Sequence, residues 1–346
     1  MTTKPGSQTI TPITRRRFVY SAALGGLVAG TALRSRPARG AGQIKLSYVS
    51  IFDKSSPFAW FYTALAAQAK EMSAGDIVIE WAGGPEFIKP FQAPEAVGKG
   101  VVDIAFSTFS YYTAVVPEAI AIQASMWSLA GVHQSGMWAA MDDLHRKKLG
   151  AAMLGIPQSG VEYTVVMTKP VSKVDDFKGR KLRSLPIYDP LFKGLGVATV
   201  TLSPTEVYTS LERGVVDGFG WPEWPMVSFR FHEVAKYLVH PNYYHALANH
   251  LMTAKKLEGL PKDVHDVLIK ASRKTDELGR AHIQAQRDQE MAKMKSEGLV
   301  INQLPGDEAK KYLKIANDGF WEKMAKDAPQ EGSRLRDLMA KAGSIA

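Results

Sequence analysis

Three stretches decide the fold: Gln43-Ile44-Lys45-Leu46-Ser47-Tyr48-Val49-Ser50, Ser56-Pro57, and Ile77-Val78-Ile79-Glu80-Trp81. In the first, Ile44, Leu46 and Tyr48 or Val49 alternate as in a half-buried strand. Ser56-Pro57 reads as a helix cap followed by a first-turn proline. The apolar stripe Phe58, Phe61, Leu65, Ala69, Met72 then predicts a helix that ends near Gly75, and the third stretch reads as the next strand. Strand, helix and strand at this spacing predict a βαβ unit and a largely parallel sheet.

Working outward, the segment Ala96-Val97-Gly98-Lys99-Gly100-Val101-Val102-Asp103 is echoed by Ser210-Leu211-Glu212-Arg213-Gly214-Val215-Val216-Asp217. Both read as helix, glycine, strand, with Gly100 and Gly214 where a helix closes on a left-handed residue. The pattern suggests that one domain plan occurs twice. Ser203-Pro204-Thr205-Glu206 combines a cap, a first-turn proline and the third-position glutamate of a capping box. From Pro261 to Gly298 a helical pattern extends over roughly 54 Å at 1.5 Å per residue, long enough to brace two lobes. The chain from Asp307 is helical again.

The first 40 residues have a different character. Thr14-Arg15-Arg16-Arg17-Phe18-Val19, the uncharged run Ser21 to Leu33 and Ala38-Arg39-Gly40 have the layout of a secretory signal cut after Gly40. The arginines resemble a twin-arginine export signal, with an ordinary signal peptide as the alternative. The uncharged run is too short for the ~20 residues of a membrane span. Those 40 residues hold seven Lys or Arg and no acid; removing them leaves 36 basic against 34 acidic residues, so a formal +9 becomes +2. The mature chain therefore offers no broad field for a polyanion, which argues against nucleic acid. With no cysteine, it has no disulfides, thiolate metal sites or cysteine nucleophiles.

The chain contains no Walker A loop, His-Glu-x-x-His, Gly-x-Ser-x-Gly or dinucleotide fingerprint outside the signal. His232, His240, His245 and His250 crowd one region without metal-ligand spacing, and read as surface or partly buried residues. Aromatic residues in and beside predicted loops stand out: Phe52, Trp60, Tyr111, Tyr112, Tyr163, Tyr188, Trp221 and Trp224. Most belong in a core, and about a third are expected to line a pocket. In Gly220-Trp221-Pro222-Glu223-Trp224-Pro225 the prolines make a rigid turn able to hold the Trp221 indole over a cleft. Arg183, on the short strand within Gly179-Arg180-Lys181-Leu182-Arg183-Ser184, could offer a bidentate fork to a carboxylate, although pattern alone reads it as a solvated surface residue.

Lys169-Pro170, Asp175-Asp176-Phe177-Lys178-Gly179-Arg180-Lys181-Leu182-Arg183, Gly196-Val197, Ser203-Pro204-Thr205-Glu206-Val207-Tyr208, Leu211 and Gly214-Val215-Val216-Asp217-Gly218 together closely resemble the solute receptors of tripartite ATP-independent periplasmic (TRAP) transporters. Glu95-Ala96-Val97 to Asp103 fits as well. The resemblance implies an α/β, two-lobed periplasmic-binding-protein fold, with mixed sheets flanked by helices and a long helix spanning both lobes. Expected boundaries are residues 1–40 for the signal, 41–159 plus about 247–287 for lobe I, and 160–246 plus about 288–346 for lobe II. It implies no catalysis, cofactor or metal. Its partners would be a small carboxylate ligand and the integral membrane subunits of the transporter, with the receptor a monomer or a homodimer in the periplasm.

Residue by residue, the resemblance gives Arg183 to the ligand carboxylate. Glu162 stands where some members carry a second arginine, so a second basic clamp is not expected. Trp221 stands where sialic-acid-type members have asparagine. Keto-acid and lactate-type members have Glu-Trp there, and this chain keeps the Trp but has Gly220 before it. The expected ligand-binding set is Arg183, Trp221, Glu162, Tyr163, Glu223 and Tyr111, with Glu223 either an acceptor or a turn cap. The expected ligand is a monocarboxylate with a keto, hydroxy or aromatic body. A periplasmic enzyme acting on such acids and a receptor for an ATP-driven importer remain as alternatives.

Overall fold

The structure is a computed structural model that describes residues 43–124 and 127–343. The export signal read in residues 1–40 lies outside the described residues. The strands are β1 (Ile44–Ser50), β2 (Ile77–Gly83), β3 (Ile104–Thr108), β4 (Ala151–Gln158), β5 (Glu162–Met167), β6 (Lys181–Ser184), β7 (Ala198–Thr201), β8 (Gly218–Pro222), β9 (Tyr237–His245), β10 (Ala248–Thr253) and β11 (Val300–Gln303). The helices are α1 (Ala59–Met72), α2 (Ala93–Gly98), α3 (Leu129–Gln134), α4 (Met137–Leu149), α5 (Asp189–Gly194), α6 (Pro204–Glu212), α7 (Phe231–Val234), α8 (Ala254–Glu258), α9 (Lys262–Ser296), α10 (Gly306–Asp327) and α11 (Gly332–Lys341). Among the described residues, no helix is long and apolar enough to cross a membrane.

Two mixed sheets result. One runs β2-β1-β3-β10-β4 and the other β11-β9-β5-β8-β6-β7. The βαβ expectation holds for β2-β1-β3, which are parallel, and again for β7-β6-β8. It fails for β10 and β5, which run antiparallel to both of their neighbours. The reason is topological. The chain leaves β4 in the first sheet and enters the second as β5, then leaves β9 in the second and returns to the first as β10. A strand that arrives by such a crossing has no helix to reverse its direction. α1 starts at Ala59, and Ser56 closes the turn before it by donating to the Asp53 carbonyl rather than capping the helix.

The repeated segments occupy equivalent places. β3 lies parallel beside β1, and β8 parallel beside β6. Gly100 and Gly214 have φ of 74° and 66°, the left-handed turn that each helix end requires. The two aspartates also match: Asp103 accepts from the Ser47 backbone N–H at 2.7 Å, and Asp217 from that of Lys181 at 2.9 Å. Each ties the start of its own strand to the neighbouring parallel strand. The capping box at Ser203 forms as the sequence predicts, with Glu206 accepting from the Ser203 N–H at 2.8 Å.

α9 fastens the two sheets to each other. Its Ser272 hydroxyl donates to the Leu154 carbonyl of β4 at 2.8 Å. Five turns beyond, the Glu290 carboxylate accepts from the Met226 and Val227 N–H groups at 2.7 and 3.1 Å, just past β8. The apolar faces of both sheets and α9 share one continuous core.

Candidate functional site

Where the two sheets meet, a small cavity of about 40 Å³ opens among strand ends and the crossing segments. Phe52, Phe58, Thr108 and Tyr111 line it from the first sheet's side, and Leu185, Tyr188, Trp221 and Pro222 from the second. Gln158, Tyr163, Leu247 and Ala248 come from the crossings. The edge of an open α/β sheet, beyond its strand ends, is where such folds place ligands. A wider groove between α5 and α10, about 860 Å³, opens to solvent. Its Lys314 pairs with Asp318 and its Lys323 with Asp327 one helical turn on, so those charges are answered locally.

Arg183 sits at the end of β6, 0 % exposed, which overturns its reading as a solvated residue. Its Nε donates to the Leu202 carbonyl and its Nη1 to the Gly220 carbonyl, each at 3.1 Å. These two bonds fix the plane of the guanidinium. Nη2 has no partner, although it is buried. No carboxylate among the described residues pairs with this cation. Tyr111 and Tyr188 face it, but burial pushes both hydroxyls up in pKa, against the opposing pull of Arg183. They remain neutral phenols and supply no counter-charge. A buried, uncompensated cation costs several kcal/mol, so the site is built for an anion.

The aromatic neighbours are held in turn. Trp221 lies 5.3 Å from the guanidinium carbon, measured to the ring centre, and its Nε1 donates to the Pro225 carbonyl at 2.7 Å. That bond fixes the indole within the turn predicted to carry it. Tyr163 meets Tyr188 edge to face at 4.9 Å, and its hydroxyl accepts from Gln123 Nε2 at 2.9 Å. Burial pushes the Tyr163 hydroxyl up to about 12, partly offset by hydrogen bonds with Thr108 and Gln123. Gly220 is required here: a Cβ on it would stand 2.6 Å from Cγ of Tyr188. A glutamate at position 220 has no room while Tyr188 occupies this place.

Of the expected set, Arg183, Trp221, Tyr163 and Tyr111 come together. Glu162 and Glu223 do not line the cavity. Neighbours on a strand point to opposite faces, so Tyr163 facing inward turns Glu162 away, where it accepts from Asn242 at 3.3 Å. Glu223 is buried, accepting from His240 Nε2 at 2.8 Å and pairing with Arg287 of α9. It fastens the end of β8 to the long helix. Five of the eight highlighted aromatics line the cavity, more than the expected third. Trp224 instead packs on Phe58, Trp60 stacks on His282 at 4.1 Å, and Tyr112 bonds to His145. The histidines are more deeply placed than the sequence suggested, with His245 and His250 fully buried. Among the described residues, no three acidic or histidine side chains cluster to hold a metal ion.

Sequence reasoning missed Phe58, Thr108, Gln158 and Leu247 as lining residues. Thr108 and Gln158 end β3 and β4, so strand-end position was the available signal.

The model of bacterial extracellular solute-binding protein family 7 (DctP) matches residues 50–327. A solute-binding protein of Verminephrobacter eiseniae is 27% identical over 154 residues, 44% of this chain, and the match spans under half (46%) of that relative's length. A TRAP periplasmic solute-binding protein from Desulfovibrio salexigens with bound orotic acid superposes with a TM-score of 0.78 at 17% identity, covering 87% of this chain and 99% of that one. A TRAP transporter solute-binding protein from Bordetella bronchiseptica, with copurified calcium and picolinate, also gives 0.78, at 18% identity over 88% and 93% of the two chains. At these identities the likeness is one of fold.

Proposed function

The chain belongs to family 7 of the bacterial extracellular solute-binding proteins, and from that premise we propose that it is a periplasmic receptor that binds an organic acid and delivers it to a TRAP-type secondary transporter. The observation that carries the reading is Arg183, a fully buried guanidinium with one unpartnered nitrogen, set against the Trp221 and Tyr188 rings that line the cavity. A ligand carboxylate there gains a charge-assisted hydrogen bond and removes the penalty of an unanswered charge. Among the described residues Arg183 is the one cation set against the rings of this cavity, which favours a monocarboxylate with a keto, hydroxy or aromatic body.

In this reading the two sheets are the cores of two lobes, residues 41–159 plus about 247–287 and residues 160–246 plus about 288–346. The crossings beside Gly160 and Ala246 act as the hinge. The ligand touches both lobes only when they close, so binding shifts the protein towards the closed form. The membrane subunits recognise that form. The protein binds without turnover, and the signal in residues 1–40 exports it by the twin-arginine route.

The test is the melting temperature against keto, hydroxy, dicarboxylic and aromatic acids, since ligand at 100 times its Kd adds about 2.7 kcal/mol of stability. A rise with one class that disappears in Arg183→Ala, with the acid recovered unchanged, is the expected result. Conversion of the acid to another compound would favour an enzyme.

A further inference from the structure

Resting on that reading, we infer that the ligand body is a single flat ring, an aromatic or heteroaromatic monocarboxylate held face-on between the two aromatic walls of the cavity. Each wall is braced from behind. Phe52 is stacked on Phe58, with ring centres 3.7 Å apart and planes 12° from parallel. Tyr111 is stacked on Phe91 at 4.3 Å. On the other side, Trp221 is held by its bond to Pro225 and by edge contacts from Phe229 and Phe231 at 5.5 and 5.1 Å. These side chains cannot readily rotate to wrap an irregular body, so they select for shape.

Besides the tyrosines Tyr111, Tyr163 and Tyr188, two polar side chains line the cavity, and both are already engaged. Thr108 donates its hydroxyl proton to the Leu247 carbonyl at 3.0 Å, and Gln158 directs its amide towards the Ala246 carbonyl at 3.4 Å. A polyhydroxylated acid would leave most of its hydroxyls without the partners they have in water, at a cost for each. A second carboxylate would meet no cation besides Arg183. A ring, by contrast, gains contact with aromatic faces.

The experiment is calorimetric titration of the protein with benzoate, cyclohexanecarboxylate, galacturonate, succinate and pyruvate. Cyclohexanecarboxylate matches benzoate in size and charge but is not planar. Benzoate should bind about five- to tenfold more tightly than cyclohexanecarboxylate, with galacturonate and succinate weaker still. Phe52→Leu should bring the first ratio towards one. As a check independent of that variant's folding, benzoate should change the tryptophan fluorescence of the wild type, and Trp221→Phe should remove the change while binding persists. If any other acid in the panel matches or exceeds benzoate, and Arg183→Ala abolishes its binding, the flat-ring inference is overturned while the receptor reading stands. If none of the five binds, both are overturned.

Discussion

The guanidinium carbon of Arg183 lies 5.3 Å from the centre of the Trp221 ring, and the two residues come from strands that are neighbours in the sheet. β6 supplies the charge and β8 the ring that covers it, while the Gly220 carbonyl between them accepts from Nη1. The cation is thus held by its own sheet, with Nη2 left without a partner beside the rings that line the cavity. An arginine held this way is ready for a ligand but unfavourable to folding.

That conflict can be measured in the empty protein. Arg183→Met keeps the length of the side chain and removes the unanswered charge, so the ligand-free variant should be as stable as the wild type or more so. Chemical denaturation without ligand checks this. A loss of more than about 2 kcal/mol would mean that the charge has a partner in the folded protein.

Gly220 and Tyr188 should behave as a coupled pair. Gly220→Ala drives a methyl into the Tyr188 ring and should cost about 1–3 kcal/mol, with weaker ligand binding. In the Tyr188→Ala background the same change should cost much less. A double-mutant cycle reads the coupling directly, and additivity would show that the ring is not the obstacle.

Glu223 is kept charged inside the protein by its partners. Burial raises its pKa, but hydrogen bonds from His240 and Asn242 and the charge of Arg287 outweigh burial and leave it below the usual carboxylate value. A depressed carboxylate contributes stability that is present above its unfolded pKa and lost as pH falls through the folded one. Arg287→Ala should therefore destabilise the protein by about 1–3 kcal/mol at pH 7, discounted because Arg287 is 30% exposed. The loss should be smaller near pH 3. Equal losses at both pH values would remove the ion pair as the cause.

His145, His245 and His250 are kept neutral by burial, with pKa values lowered to about 4, 3 and 3. Below pH ~6.5 the unfolded chain takes up protons that the folded one refuses, so stability is complete above that pH and falls as the solution is acidified. Each histidine weakens folding by at most about 1.4 kcal/mol per pH unit between its unfolded and folded values. Melting temperatures should drop steeply from pH 6.5 to 4.5, and His250→Gln should flatten the curve. His250 has its ring against Tyr48 Oη at 3.0 Å, which an amide can replace.

Local pattern made much of this architecture legible. The capping box at Ser203, the left-handed Gly100 and Gly214 and the long helix from Pro261 follow from rules that act within a few residues. The antiparallel entries of β5 and β10 do not, because pairing partners far apart in the chain set a strand's direction. In the site, Trp221 is legible in its proline-flanked turn and Arg183 only through motif resemblance, whereas burial alone distinguishes an unpaired cation from a surface one. Glu223 illustrates the converse. A carboxylate beside a predicted pocket looked like a ligand contact until its partners, His240 and Arg287, came from β9 and α9.

The exchange of β5 and β10 between the sheets has a consequence for synthesis. β10 lies between β3 and β4, yet it is translated about 90 residues after β4 ends. Until then the emerging chain presents two open strand edges, and open edges invite mispairing with other chains. The amino-terminal half therefore cannot finish folding on the ribosome ahead of the rest, and truncation anywhere before Thr253 should yield an aggregating fragment rather than a smaller domain.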